Sequence, residues 1–375
     1  MIYLDYSANT PVDARVLEQF CAVERRCIGN ANSHHQAGSA AKAEIDAATI
    51  KIASLLGVQP AEIIYTSGAS EANNFALKGL ARLSRHAGRH IISTPLEHSS
   101  VSGTLTALQE QGYEIDLLDM KQDGTVDLEH LKDLLRPDTI CVAITLVDSE
   151  LGVVQPVQEI AAILKAYPHC HLHVDATQAV GKIPVSFEGV DTMSLTAHKF
   201  YGLNGIGLLV KRRNLALEPL IHGGESTTIY RSGTPTVALA SSLACALNLA
   251  VTDLPGRVDH VAKLNAELRA ALSTYPLVRI NSPDHAIPHV LNLSVQNVKG
   301  TIFQRELDAK GVCVSVKSAC SSDGLPSRAV FAVSRDRRNA LSSWRISLSH
   351  LTTEDESKAF LQAFDVCYRE LTAVH

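Results

Sequence analysis

A chain of 375 residues, 46% of them hydrophobic, has ample apolar side chains for burial and is too long for one ordinary core, so two or three domains are expected. Its 34 basic and 39 acidic residues leave a net charge of -5 and no broad basic field, which argues against nucleic acid or an anionic membrane as the partner. No apolar run approaches the ~20 residues of a membrane span, and Met1-Ile2-Tyr3-Leu4-Asp5 is not a basic stretch leading into an apolar signal core, so a soluble cytoplasmic protein is expected.

Residues 1–12 read as a short strand and an arm. Pro11 opens a first helix that ends near Gly29-Asn30. A polar loop then leads through His34 and His35 into an Ala-rich helix running to Leu56-Gly57. Adjacent histidines diverge on any regular element, and no second cluster supplies further ligands, which argues against a metal there. From residue 60 the pattern repeats as strand, loop and helix. Strands are expected at Glu62–Thr66, His90–Thr94, Glu114–Leu118, Thr139–Leu146 and His171–Val174, with a helix from Glu71 to Leu83. Such alternation predicts an α/β fold with a mainly parallel sheet between helices, and places ligands at the carboxyl ends of the strands. After a long Ala/Leu-rich helix the composition shifts at Asp253-Leu254-Pro255-Gly256. The remainder, with two helices and few strands, suits a smaller α+β domain.

The polar motifs fall at strand ends. Thr66-Ser67-Gly68-Ala69-Ser70-Glu71 puts small residues and hydroxyls at a helix start, which suits a phosphate, although ordinary helix capping also explains it. Neither a dinucleotide glycine fingerprint nor a nucleotide P-loop occurs. Pro95-Leu96-Glu97-His98 presents a histidine placed to stack on a ring and move protons. His171, His173 and Asp175 share one face of a strand, but the outer two lie ~13 Å apart by strand rise, too far for one metal ion. Asp175 suits a different task, pairing with a pyridinium nitrogen. Met193–Gly202 presents Lys199 at the end of an apolar strand. Poor solvation there disfavours the ammonium and frees the amine as a Schiff-base nucleophile.

Farther on, Ser343–Leu348 alternates, with Trp344, Ile346 and Leu348 on a core face and Arg345 on the other, either as a carboxylate clamp or as a surface charge. The eight cysteines contain no CxxC pair and read as reduced thiols. Val312–Val316 reads as a strand that buries Cys313. Cys320 sits in the polar loop Lys317–Gly324, where an exposed thiol beside a lysine tends toward thiolate.

Taken together, Tyr3–Ala8, Thr66–Asn74, Glu97–Ser99, Val174–Gln178, Ala197–Lys199, Arg231–Thr234, Ser318–Cys320 and Arg345–Leu348 resemble, over nearly the whole chain, the pyridoxal phosphate (PLP)-dependent cysteine desulfurases of aminotransferase class V. The resemblance implies the PLP transferase fold type I. It divides the chain into an arm (1–12) packing with the small domain, a large domain (13–252) with a seven-stranded sheet, and a small domain (253–375) carrying the Cys320 loop. It also implies a homodimer with shared active sites. Lys199 would hold PLP as a Schiff base, His98 would stack on the ring, Asp175 would bond its nitrogen and Gln178 its phenolate oxygen. Ala69, Ser70, Thr196, His198 and Thr234 of the partner subunit would hold the phosphate. Arg345, with Asn9, would take the carboxylate of L-cysteine, and Cys320 would accept its sulfur as a persulfide and release alanine. No intrinsic metal is implied, although Cys320 could transiently ligate an iron-sulfur cluster with a scaffold. The sulfur acceptor would be an iron-sulfur scaffold or a tRNA-thiolation enzyme. A selenocysteine lyase, another class V enzyme and a sulfur-carrying scaffold are the alternatives.

Three positions depart from the family pattern. Asp148 and Ser149 stand where asparagines are usual, so at Ser149 a contact to the phenolate is altered or lost. Gly202-Leu203-Asn204-Gly205 lacks the usual Pro-Lys, and Ser349-His350 replaces Gly-Arg.

Overall fold

The computed structural model describes residues 1–224, 226–317 and 325–373. Its central sheet runs in the order Ile63–Thr66, Gly207–Lys211, Thr192–Thr196, His171–Asp175, Thr139–Thr145, His90–Ser93, Glu114–Leu117. Gly207–Lys211 is antiparallel to both neighbours, and every other pairing in this sheet is parallel. Parallel strands covered on both faces lose the usual polar alternation. Accordingly, Thr139–Thr145 and Thr192–Thr196 are buried at every position. Side chains still alternate between faces. Val142 and Ile144 join one core, while Cys141 and Ala143 join another against the helices Ala69–Leu83 and Ser99–Gln109.

A second sheet of three antiparallel strands, Ser343–Ser347, Val290–Val295 and Val278–Ile280, builds a separate core. Trp344 and Ile346 point into it with Phe303, Phe360 and Phe364, and Trp344 stacks on Phe303 at 5.1 Å between ring centroids. The amino-terminal arm belongs to this region. Ile2–Tyr3 pairs in parallel with Val312–Cys313, and Leu4 is fully buried in the same core. Residues past 253 do not all pack there, however. Val290, Ala329, Val330 and Ala340 join the large core.

The sheet strands fall within about a residue of their expected ends, whereas the helices differ more. The first helix spans Ala14–Arg26 and is started not by Pro11 but by Asp13, whose carboxylate accepts from the Arg15 N–H. The helix expected from Glu71 begins at Ala69. After residue 253 five helices are described rather than two: Leu254–Leu272, Gly300–Ala309, Arg328–Ser334, Arg337–Ser342 and Glu354–Thr372. Helices of 7 and 6 residues are too short to show a 3.6-residue period, so Arg328–Ser334 and Arg337–Ser342 left no readable pattern. The strand expected over Val312–Val316 is only Val312–Cys313, followed by a single bridge from Ser315 to Arg345, and Cys313 is half-buried rather than core. No single described helix is long and apolar enough to cross a membrane.

Trp344 is the chain's sole tryptophan, so its fluorescence reports on the small core alone. Phe303→Ala removes its stacking partner and should cost about 3–5 kcal/mol. In a urea titration the fluorescence midpoint should drop accordingly; an unmoved midpoint would show that the Phe303–Trp344 contact does not hold this core together.

Candidate active site

At the carboxyl end of the central sheet lies a cavity of 340 Å³. Thr145, Asp175 and Thr196 each end a strand there and line it. Immediately after Thr196 a single turn, Ala197–Lys199, raises Lys199 over the cavity. Its Nζ donates to the carbonyl oxygens of Ser7 at 2.7 Å and Ala8 at 2.6 Å, so the arm closes one side of the site.

Asp175 is 3% exposed and is held from two directions. The Thr177 N–H donates to one carboxylate oxygen at 2.9 Å and Asn73 Nδ2 to the other at 2.8 Å. Asn73 is itself fixed, since its Oδ1 faces Ser194 Oγ at 2.5 Å and His173 Nε2 at 3.0 Å. An amide oxygen only accepts, so His173 carries its proton on Nε2 and takes the Thr192 hydroxyl on Nδ1, 2.9 Å away. Burial pulls the His173 pKa down to about 4, keeping it neutral. With both ring nitrogens bonded, His173 is no metal ligand, and among the described residues no cluster of ligating side chains could hold a metal ion.

His98 also lines the cavity. The Ser100 N–H donates to its Nδ1 at 3.1 Å, which leaves the proton of the neutral imidazole on Nε2. Burial, with Lys199 and Arg328 adding to it, lowers its pKa. His198, 3.1 Å from Thr196 Oγ1 through Nδ1, is pulled down to about 4 by burial and by Lys199.

Pyridoxal phosphate fits what these residues offer. An amine, a buried carboxylate bonded by two neutral amides, and an open helix start lie around one cavity. Gly68 caps the helix Ala69–Leu83 without a side chain, so its first-turn N–H groups and the hydroxyls of Ser70 and Thr196 could hold a phosphate. The close approach is built on glycine. A Cβ on Gly207 would sit 2.6 Å from the Leu195 carbonyl oxygen and 2.7 Å from Gly68 Cα. Thr177 Oγ1, on the cavity wall, is a buried polar atom without a partner among the described residues.

Of the residues expected from sequence, Ala69, Ser70, His98, Ser149, Asp175, Gln178, Thr196, His198, Lys199 and Arg345 all line this cavity. Arg345 is 2% exposed, which overturns the surface-charge reading. Asn9 is exposed and outside the lining, its amide donating to the Thr10 carbonyl at 3.2 Å. Thr234 lines a different cavity of 220 Å³ beside Tyr65 and Thr66. Cys320 lies outside the described residues, whose nearest points, Lys317 and Leu325, are joined by a 3.4 Å hydrogen bond from Lys317 Nζ to the Leu325 carbonyl.

Three functional neighbours escaped the sequence reading. Asn73 was the detectable one, a polar residue among the otherwise apolar buried positions of its helix, Ala72, Phe75, Ala76 and Leu80. Asp5 pairs with Arg345 Nη2 at 2.8 Å, and Lys182 is buried beside Gln178. The Asp5–Arg345 contact spans 340 residues and leaves no local pattern, while a lysine four residues after a glutamine is unremarkable until its burial is known.

Glu97 behind His98 is 4% exposed. Its Oε1 accepts from the Thr145 N–H and the Thr94 hydroxyl, both at 2.8 Å, while Oε2 has no partner among the described residues. Burial, reinforced by Asp175 and Asp148, pushes its pKa up from 4.5 to about 8. Between those values the folded state holds a proton that the unfolded state releases, so stability falls as pH rises through this window. Glu97→Gln mimics the protonated acid and removes that loss. Its thermal midpoint relative to the wild type should climb from pH 5 to pH 8; a pH-independent difference would contradict a protonated Glu97.

Comparison with known proteins agrees with this geometry. A family model of aminotransferase class V matches residues 2–360. The chain is 36% identical to a NifS/IcsS protein homolog of Lactobacillus delbrueckii subsp. bulgaricus, with 100% of this chain and 99% of the relative aligned. It is 40% identical to the cysteine desulfurase IscS of Proteus mirabilis, over 95% and 89% of the two. Among solved structures, a NifS-like protein superposes with a TM-score of 0.92 at 35% identity, covering 99% of each chain. A structure described as SspA in complex with cysteine superposes at 0.82 and 31% identity, over 94% of this chain and 100% of that one. The match runs almost from end to end, and the chain belongs to the cysteine desulfurases of the class V aminotransferase family.

Proposed function

We propose that the protein is a PLP-dependent cysteine desulfurase, taking sulfur from L-cysteine to leave L-alanine and a persulfide on Cys320. The observation that carries this reading is the convergence of Lys199, Asp175 and Arg345 on one cavity. When bound, PLP supplies an electron sink for the bonds to the amino acid's Cα. Asp175, oriented by Asn73 and the Thr177 N–H, holds a proton on the ring nitrogen. Arg345 is steadied by Asp5 through Nη2 and by the Ser149 carbonyl oxygen through Nη1, at 2.8 and 2.7 Å, while its buried Nε has no partner among the described residues. A guanidinium so held is ready for a substrate carboxylate, a charge-assisted contact of about 1.5–3 kcal/mol. Lys199 would move the Cα proton, and His98, on the wall of the same cavity, would assist that transfer. Cys320 as thiolate attacks the substrate sulfur. An S–S bond forms as the C–S bond breaks, and the electron pair left on Cβ takes a proton, so that the carbon skeleton departs as alanine.

A persulfide is useful only if handed on, so the expected partner is a sulfur-acceptor protein such as an iron-sulfur scaffold or a tRNA-thiolation enzyme. A homodimer is the expected assembly. Thr234 lies in a cavity apart from Lys199 within its own subunit, which suits its donation to the neighbouring site. The cytoplasm is the compartment proposed for it, in keeping with its bacterial relatives.

Incubation with L-cysteine and a thiol should release one alanine per sulfide, and Cys320→Ala should bind cysteine yet show neither sulfide nor a persulfide adduct by mass. Sulfide release by Cys320→Ala at the wild-type rate would replace the persulfide route by direct elimination. Asp175→Asn should keep PLP through the phosphate and Lys199 contacts while turnover falls by several orders of magnitude, because a neutral amide does not hold a proton on the ring nitrogen. Normal turnover in that variant would make Asp175 a structural residue.

A further inference from the structure

Lys182 is an expensive residue to bury. It is 6% exposed, and no carboxylate pairs with it among the described residues. Its charged neighbours Lys199 and Arg345 are cations, and His289 beside it is a buried imidazole. An apolar side chain of that length would avoid the desolvation of an ammonium altogether. What Lys182 does contact is a neutral amide, its Nζ donating to Gln178 Oε1 at 2.6 Å.

The chemistry of that contact sets the amide's direction. Burial, with Lys199 and Arg345 adding to it, pulls the Lys182 pKa down to about 7. With its proton bound the amine only donates, so it takes the carbonyl end of Gln178 and turns the NH₂ end toward the Ser7 carbonyl, which can only accept. On that side Gln178 Nε2 donates at 2.9 Å to the Ser7 carbonyl, the oxygen that also receives Lys199 Nζ. Gln178, Ser7 and Lys199 all line the cavity. In PLP the ring oxygen sits on the carbon adjacent to the one that bears the aldehyde taken by Lys199, so a donor beside Lys199 is placed to serve it. Gln178 is also the one side-chain amide among the described residues lining the cavity, since Ser149 stands where a second would be expected.

We propose that Lys182 is a positioning residue, fixing the side-chain amide of Gln178 so that its N–H donors, not its carbonyl, face the cofactor's ring oxygen. The proposal rests on the desulfurase reading above. A donor to the ring oxygen stabilises its anion and drains electron density from the proton shared between that oxygen and Lys199. That proton is then released at lower pH, and losing the donor raises the pH at which the bound cofactor's visible band titrates.

The test is a spectroscopic titration of PLP-loaded wild type, Lys182→Met, Gln178→Leu and the double variant, alongside the PLP affinity of each apoprotein. Lys182→Met should shift the band's midpoint upward by on the order of one pH unit, the scale of one hydrogen bond to a charged group. Gln178→Leu should shift it similarly, and the double variant no further than Gln178→Leu alone, because the two residues act in series. An unmoved midpoint in Lys182→Met, or an equal additional shift in the Gln178→Leu background, would overturn the assignment. If Lys182→Met does not fold, Lys182→Gln decides. As a neutral donor it should keep the midpoint near the wild type, and a midpoint equal to that of Gln178→Leu would count against the proposal. Wild-type protein that takes up no PLP on Lys199 overturns the desulfurase reading and this inference together, whereas PLP on Lys199 with an unmoved midpoint overturns this inference alone.

Discussion

A carboxylate held inside the protein by neutral donors is the constraint from which the rest of the site follows. Asp175 ends a strand paired on both sides, and its two oxygens are fixed by Asn73 and by the Thr177 N–H rather than by a cation. An arginine or lysine in their place would satisfy the charge inside the protein and leave nothing for a ligand. Neutral donors orient the carboxylate and leave its charge to be met by whatever enters the cavity. The supporting layer is polar for this reason. Asn73, Ser194, His173 and Thr192 form a chain of hydrogen bonds in a region that would otherwise be packed with aliphatic side chains.

The two cations that face the cavity are held in a related way, but by the arm. Lys199 donates to the carbonyls of Ser7 and Ala8, and Arg345 pairs with Asp5, whose other oxygen accepts from the Ser315 hydroxyl at 2.8 Å. A few residues near the amino terminus therefore connect a lysine on the large sheet to an arginine on the small one. The lysine and the arginine that face the cavity thus come from different cores, and the arm sets their spacing.

The sheet was legible because its strands are short apolar runs between turn residues, a signal carried within each segment. The polar strand ends were legible too, since Asp175, Lys199 and His98 interrupt apolar stretches where a purely structural sequence would place a turn. Arg345 was half legible: alternation in Ser343–Leu348 separated it from Trp344 and Ile346, yet could not say whether its face met solvent or a cavity. Asp5 and Lys182 were not, because their importance lies in partners 340 and 4 residues away whose own roles are defined only by the fold. Even the near pair was hidden, as a lysine four residues after a glutamine is an ordinary surface pattern until burial is known. The short helices of the carboxyl-terminal region failed for a plainer reason, having fewer than two full turns in which to show a period.

The arm also bears on how the protein can be handled and altered. Met1 is 95% exposed, while Leu4 is wholly buried and Asp5, Ser7 and Ala8 are engaged with Arg345, Gln178 and Lys199. An affinity tag fused ahead of Met1 extends into solvent and disturbs none of these contacts. Trimming as few as eight residues from the same end would take Leu4 out of the small core and remove the arm's contacts to Lys199 and Arg345 at once, so a harmless fusion and a damaging truncation lie only a few residues apart.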